Sequence, residues 1–272
     1  MRAALLAAIC LALAACALPR THTVHGMQPL DRSSVASIAV DEHFLAGSFT
    51  APDGTVLRYR LLVPVPMQPG RRYPLVVQFH GSGGIGTDNE RQVENVAKAW
   101  ALPMVRTRHP AFVLVPQFSE RSANYDDPHR PHAAQPGPQL DAALALINMI
   151  AVSQPVDHDR IYATGFSMGG STTWLSVLAR PGLFAAAMPM SAIAPPRNRA
   201  SELKQMPLLV LHGDADTENP IDSDRDMVEA IGAMGGHRVH MRVYSGLPHR
   251  PPADLVPGDW WRDWLFSQHR SH

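Results

Sequence analysis

Cysteine is almost absent from this chain. The two present, Cys10 and Cys16, both fall in the first sixteen of 272 residues, so the body of the chain can close no internal disulfide. Its stability must come from a buried core, which a chain of this length can build. Lysine is equally scarce: Lys98 and Lys204 are the only two, and arginine carries the remaining positive charge. Charge of one sign is lacking as well, since 24 Lys plus Arg balance 24 Asp plus Glu. That balance excludes the basic footprint of a nucleic-acid-binding protein and gives no sign of a polyanionic partner. The apolar run over residues 3–15 is too short to span a bilayer comfortably. Internal repeats and low-complexity stretches are missing too. Proline, by contrast, is abundant at 25 residues, which favours rigid loops between regular elements.

The N-terminus has the layout of an export signal. Arg2 supplies a small positive region, residues 3–15 an apolar one, and the stretch ends Leu13-Ala14-Ala15-Cys16. The ending resembles a bacterial lipobox, in which Cys16 would become the lipidated first residue of the mature chain and anchor it to a membrane. A plain secretory signal, cleaved within Ala15-Cys16-Ala17, is the alternative. Residues 1–15 are therefore expected to be a signal peptide and 16–40, polar and interrupted by Pro19, Gly26 and Pro29, a tether. Residues 41–272 remain for one globular domain, exported to the periplasm or cell envelope.

Within that domain short apolar runs alternate with helical patterns. Residues 44–50 and 56–63 flank Pro52-Asp53-Gly54 and predict a hairpin. Leu75-Val76-Val77-Gln78-Phe79 and residues 111–115, 161–164, 184–190 and 208–211 read as buried strands, and 238–244 as a last strand. Helical spacing marks 89–101 (Val93, Val96, Ala97 and Trp100 on one side), 138–152, 171–179, 222–234 and 259–268. Buried runs separated by helices imply an α/β fold, a mostly parallel sheet covered on both faces. The segment 116–137 is a long loop of the kind that shapes a substrate site, whereas 191–206 is too short for a cap domain, so an open site is expected.

Chemistry concentrates at Gly165-Phe166-Ser167-Met168-Gly169-Gly170. A Gly-x-Ser-x-Gly pattern between a strand and a helix describes a nucleophile elbow, a tight turn that lifts the serine out of the sheet. Serine becomes a nucleophile only with a base for its proton and donors for the oxyanion. Downstream, Leu211-His212-Gly213-Asp214-Ala215-Asp216 places two carboxylates just past a strand, where an acid could orient the base. Asp216 is preferred and Asp214 reads as a turn residue. His249, in the loop after the last strand, is the expected base among 14 histidines. The order Ser167, Asp216, His249 is one of the three chain orders in which such triads occur. Upstream, His80-Gly81-Ser82-Gly83-Gly84 is a glycine-rich turn after a strand, and the backbone N–H groups of Ser82 and Met168 are the expected oxyanion donors.

Other candidates carry less. His80 reads as a loop-fixing residue before a base. No Gly-Lys-Ser/Thr follows the glycines at 81–84, which speaks against phosphate binding. His129 and His132 lack a second pair of ligands, so no metal and no cofactor is expected. Trp260, Trp261 and Trp264 read as the buried face of the last helix, with substrate stacking as the alternative.

Several stretches together carry a family resemblance. They are Tyr73-Pro74-Leu75, His80-Gly81-Ser82-Gly83-Gly84, Thr87-Asp88-Asn89, Val115-Pro116-Gln117, the run from Asp159 through the elbow to Gly170, Pro181-Gly182-Leu183-Phe184, His212-Gly213-Asp214-Ala215-Asp216 and Tyr244-Ser245-Gly246-Leu247-Pro248-His249. Across residues 55–265 the chain resembles the exported α/β-hydrolases described as predicted peptidases, a group close to feruloyl and acetylxylan esterases and polyhydroxybutyrate depolymerase-like enzymes. The resemblance implies an α/β-hydrolase fold with N-terminal hairpin strands and Ser167, Asp216 and His249 as nucleophile, acid and base. It departs from the group at Phe118 and Tyr125, where a tryptophan is usual, and at Arg250-Pro251-Pro252, where an Asn-x-Trp-like stretch is common. The expected activity is ester hydrolysis through an acyl-enzyme. A peptidase on the same triad and a silent, lipid-anchored binding domain are the alternatives.

Overall fold

The computed structural model describes residues 20–127 and 133–270. The signal segment, Cys16, His129 and His132 lie outside the described residues. In chain order the elements are β1 (Arg20–Val24), α1 (Val40–His43), β2 (Phe44–Thr50), β3 (Val56–Leu62), β4 (Tyr73–Phe79), α2 (Asn95–Lys98), α3 (Pro103–Arg108), β5 (Phe112–Gln117) and β6 (Ala123–Tyr125). There follow β7 (Ala134–Pro136), α4 (Leu140–Ser153), β8 (Val156–Phe166), α5 (Met168–Ala179), β9 (Ala186–Met190), β10 (Leu208–Gly213), α6 (Asp222–Ala233), β11 (Val239–Tyr244) and α7 (Asp259–Phe266).

Nine strands form one sheet in the order β1-β11-β10-β9-β8-β4-β5-β3-β2. From β1 to β5 every neighbour is parallel; β3 and β2 continue the sheet antiparallel as the hairpin expected from Pro52-Asp53-Gly54. Asp53 Oδ1 accepts the Thr55 N–H at 2.9 Å in that turn. The central strands are apolar along their whole length because both faces are covered: every residue of β4, β5, β9 and β10 is buried. Alternation sorts their side chains. Leu75, Val77 and Phe79 join Leu208 and Val210 under α4, α5 and α6. Val76, Val113, Val115, Leu209 and Leu211 join Trp100 and Trp261 on the other face. Trp261 is fully buried edge-to-face against Trp100, 5.4 Å between centroids, while Trp260 and Trp264 of the same helix are half-buried against that core. Among the described residues there is no cap domain; residues 191–207 contain only a 3-10 helix, Arg197–Leu203.

Two expectations need correction. Residues 20–40 are not a free tether. β1 lies parallel on β11, with Arg20 opposite His240 and Val24 opposite Tyr244. Beyond it Leu30 donates to the Pro251 carbonyl at 2.8 Å, Ala253 donates to that of Gln28 at 2.9 Å, and Val35 is fully buried. The polar composition of this segment is that of an edge strand. Thr21, His22 and Thr23 face solvent while their backbone pairs the row of N–H and C=O groups that β11 would otherwise expose.

The helix expected over 89–101 is broken as well. Asn89 takes a left-handed φ of 59°. Its N–H goes to Gln117 Oε1 at 2.6 Å, its carbonyl accepts Arg60 Nε at 2.6 Å, and its Oδ1 accepts from Gln92 at 2.7 Å. Asp88 Oδ1 receives the N–H groups of Glu90 and Arg91. These bonds hold 88–92 as a turn, so helix begins only at Asn95. The apolar positions Val93, Val96, Ala97 and Trp100 are buried as the spacing predicts.

Candidate active site

The carboxyl ends of β4, β8, β10 and β11 point the same way, and the loops leaving them carry His80-Gly81-Ser82, Ser167, Asp216 and His249 respectively. Ligand sites in such sheets collect at this end. Ser167 joins β8 to α5 with φ 58° and ψ −124°, a strained conformation for a residue bearing a Cβ. The turn closes because its flanking residues are small. A Cβ on Gly165 would run into the Gly169 carbonyl, and one on Gly169 into the Phe79 carbonyl at the end of β4. Ser167 N–H donates to the Met190 carbonyl at 2.9 Å and its carbonyl starts the helix by accepting from Ser171 at 3.0 Å.

His249 bridges the serine and the acid. Its Nε2 is 2.9 Å from Ser167 Oγ and its Nδ1 is 2.7 Å from Asp216 Oδ2. The Phe166 ring packs on the imidazole with centroids 4.9 Å apart. Asp216 Oδ1 accepts the N–H groups of Glu218 and Asn219 at 3.0 and 2.9 Å. Burial would raise the Asp216 carboxyl, but hydrogen bonds from His212, His249 and the Asn219 N–H outweigh it and hold the group well below the usual carboxylate range. Of the two carboxylates in the loop the structure brings Asp216 to His249. Asp214 Oδ1 instead accepts the Gly246 N–H at 2.6 Å and ties two turns together.

The glycine turn lies against the elbow. A Cβ on Gly81 would sit 3.7 Å from Ser167 Cβ and 3.6 Å from the Phe166 carbonyl. Ser82 opens a single 3-10 turn, Ser82–Gly84, and Met168 is the first residue of α5, where an N–H has no acceptor within its own helix. His80 is buried beneath this turn. Its Nε2 accepts the Phe118 N–H at 3.1 Å and Nδ1 meets the Gly81 carbonyl at 2.7 Å, which sets the tautomer with hydrogen on Nδ1. Burial pushes its pKa down to about 4, so His80 is neutral and fully occupied by backbone, a loop-fixing residue.

Three neighbours escape sequence reasoning. Glu94 accepts the Gly81 N–H at 3.1 Å, and burial pushes its carboxyl up to about 7. Glu218 Oε2 lies 3.8 Å from His249 Nε2 with most of its side chain in solvent. His212 contacts both Asp216 and Asp224. His212 lies in the stretch that ends at Asp216 and Glu218 two residues past it, yet nothing local names the role of either, and Glu94 stands in no motif at all. A cleft of about 320 Å³ adjoins the site, lined among others by Leu30, Arg32, Glu94, Phe166 and Arg250. Three of these residues lie where the chain departs from expectation, Leu30 and Arg32 from the misread tether and Arg250 from the stretch after His249. The other departure, Phe118, is fully buried against His80. The long loop carries β6 and β7 as a small hairpin, pinned by Ser122 to Thr172 of α5 at 2.7 Å and by Ala134 N–H to the Ala194 carbonyl at 2.8 Å.

Comparison with known proteins agrees with this architecture. The model of the dienelactone hydrolase family matches residues 62–250. NocK of Nocardia uniformis subsp. tsuyamanensis, which carries a provisional esterase name, is 28% identical over 211 residues, 75% of this chain and 56% of its own length. The crystal structure of a thermostable esterase superposes with a TM-score of 0.75 at 33% identity, covering 85% of this chain and 64% of that one. This chain thus spans under two thirds of either protein. A feruloyl esterase (TM-score 0.61, 15% identity, 90% of this chain and 94% of that one) and Porphyromonas gingivalis dipeptidyl peptidase 4 (0.60, 17%, 83% and 35%) share the fold. With a parallel sheet, an elbow at its carboxyl end and a family match over most of its length, the chain belongs to the dienelactone hydrolase family and has the α/β-hydrolase fold.

Proposed function

We propose that the protein is an exported serine ester hydrolase working through Ser167, His249 and Asp216. The observation that carries this reading is the continuous relay from Ser167 Oγ to His249 Nε2 at 2.9 Å and from His249 Nδ1 to Asp216 Oδ2 at 2.7 Å. Ser167 Oγ attacks the ester carbonyl while His249 Nε2 takes its proton. The backbone N–H groups of Ser82 and Met168 receive the negative oxygen of the tetrahedral intermediate. His249 then gives the proton to the departing alcohol, leaving an acyl group on Ser167. Water, deprotonated by His249, attacks that acyl group by the same route and releases the acid and Ser167. Asp216 holds the imidazole with hydrogen on Nδ1 and stabilises the imidazolium formed in each half-reaction.

Esters are favoured over amides because an alkoxide leaves with less help from the acid than an amine does. Export rests on Arg2, the apolar run at 3–15 and Leu13-Ala14-Ala15-Cys16; under this reading Cys16 is lipidated and holds the enzyme at a bacterial membrane.

Ser167→Ala tests the chemistry. Hydrolysis of short p-nitrophenyl esters should fall by about 10³-fold or more, and labelling by a fluorophosphonate should disappear. Unchanged hydrolysis in the variant would reject the nucleophile, and a wild type that takes no label would favour a silent binding domain.

A further inference from the structure

We propose that His212 is a positioning residue, held as a buried imidazolium on the acid Asp216, that lowers the proton affinity of the base His249; the inference rests on the triad reading above. His212 lies near the end of β10 and is 1% exposed. Its Nε2 is 2.8 Å from the Asn219 carbonyl, a group that can only accept, so Nε2 carries a hydrogen. Its Nδ1 is 2.8 Å from Asp224 Oδ2. Asp224 is fully buried and already receives two N–H donors, Trp174 Nε1 on Oδ1 at 2.8 Å and Ala192 N on Oδ2 at 3.4 Å. Of the two groups facing each other across the Nδ1–Oδ2 contact a carboxyl is ordinarily much the stronger acid, so the shared hydrogen belongs on Nδ1, and the charge of Asp216 also favours the proton on the ring. Both nitrogens of His212 are therefore protonated. Burial alone would push this imidazolium down in pKa, yet the bonds to Asp216 and Asp224 bring it up to about 9.

The consequence falls on Asp216. One oxygen, Oδ2, lies 2.7 Å from His249 Nδ1 and 3.5 Å from His212 Nε2. A carboxylate partly answered by a second cation holds the imidazolium of His249 less tightly than an unshared one would. A base that must both take and return a proton works best when its pKa lies near the working pH, and a lone buried carboxylate would pull it upward. The other groups facing this pair are few. From the loop after β10 come Asp216, Asn219 and Glu218, the last 3.8 Å from His249 Nε2. From α6 comes Asp224, from α5 Trp174 by way of Asp224, and from β8 the apolar ring of Phe166. Arg250 follows His249 in the chain and lines the adjoining cleft.

The test is an NMR titration of the full chain labelled with 15N-histidine. In the wild type His212 should show two protonated nitrogens through pH 8; a neutral ring at pH 7 overturns the proposal. In His212→Gln, and in the double variant His212→Asn with Asp224→Asn, which leaves no orphan charge, the His249 midpoint should rise by about half a pH unit or more. That is about a threefold change in proton affinity, and the acid limb of kcat/KM should move with it. A purely structural His212 would lower stability or kcat and leave the midpoint in place, which also overturns the proposal. Should the variants not fold, the wild-type titration decides. The His249 midpoint is read without turnover, so failure of the serine mechanism, seen as an active Ser167→Ala protein, remains distinguishable.

Discussion

The carboxyl of Glu94 accepts the backbone N–H of Gly81 at 3.1 Å, in the turn that faces Ser167. The contact joins a residue of the region before α2 to the turn after β4, and it has two measurable consequences. Burial pushes the Glu94 carboxyl up to about 7 from an ordinary 4.5. A carboxyl raised on folding binds more protons in the folded state between those values, so its contribution to stability declines as pH rises through that window. Glu94→Gln removes the slope: relative to wild type the variant should gain on the order of 1 kcal/mol in urea unfolding at pH 8 and nothing at pH 4. It also replaces a charged acceptor by a neutral one, and ester hydrolysis above pH 7 should fall by about fivefold as the oxyanion turn loosens.

His80 works in the opposite direction. Its pKa is pushed down to about 4, so the unfolded chain binds more protons between about pH 4 and 6.5, and stability is lost as pH falls through that range. Acidification from pH 7 to pH 5 should cost about 2 kcal/mol. Urea unfolding in the Glu94→Gln background, where the opposing carboxyl is absent, measures it; stability unchanged across that interval would show that His80 is not held neutral by burial.

Removing residues 1–19 should leave the fold and activity intact, because the first described strand, β1, starts at Arg20 and would be kept whole. Removing residues 1–24 strips β1 and bares the whole edge of β11, five paired positions in register. Such an edge invites pairing with another chain. The longer deletion should aggregate on size-exclusion chromatography and unfold at a lower temperature; a monodisperse, equally stable product would show that β1 is dispensable.

The sequence alone was sufficient for the elbow, the order Ser167, Asp216, His249 and the parallel sheet, because each depends on local pattern. Small residues around a strand-to-helix turn, apolar runs between helices and a carboxylate just past a strand are written in adjacent positions. Local pattern also separated the hairpin at Pro52-Asp53-Gly54 from its surroundings. It misjudged residues 20–40, whose partner β11 lies some two hundred residues away, and 89–94, whose turn is held by Gln117 and Arg60 from distant strands. Only the tertiary structure decided that Asp214 ties its turn to Gly246, that Glu94 braces Gly81, and that His212 shares the acid with His249. Hydrogen bonds and ionisation depend on distances of a few ångströms between groups far apart in the chain, and those distances come into being only when the sheet assembles.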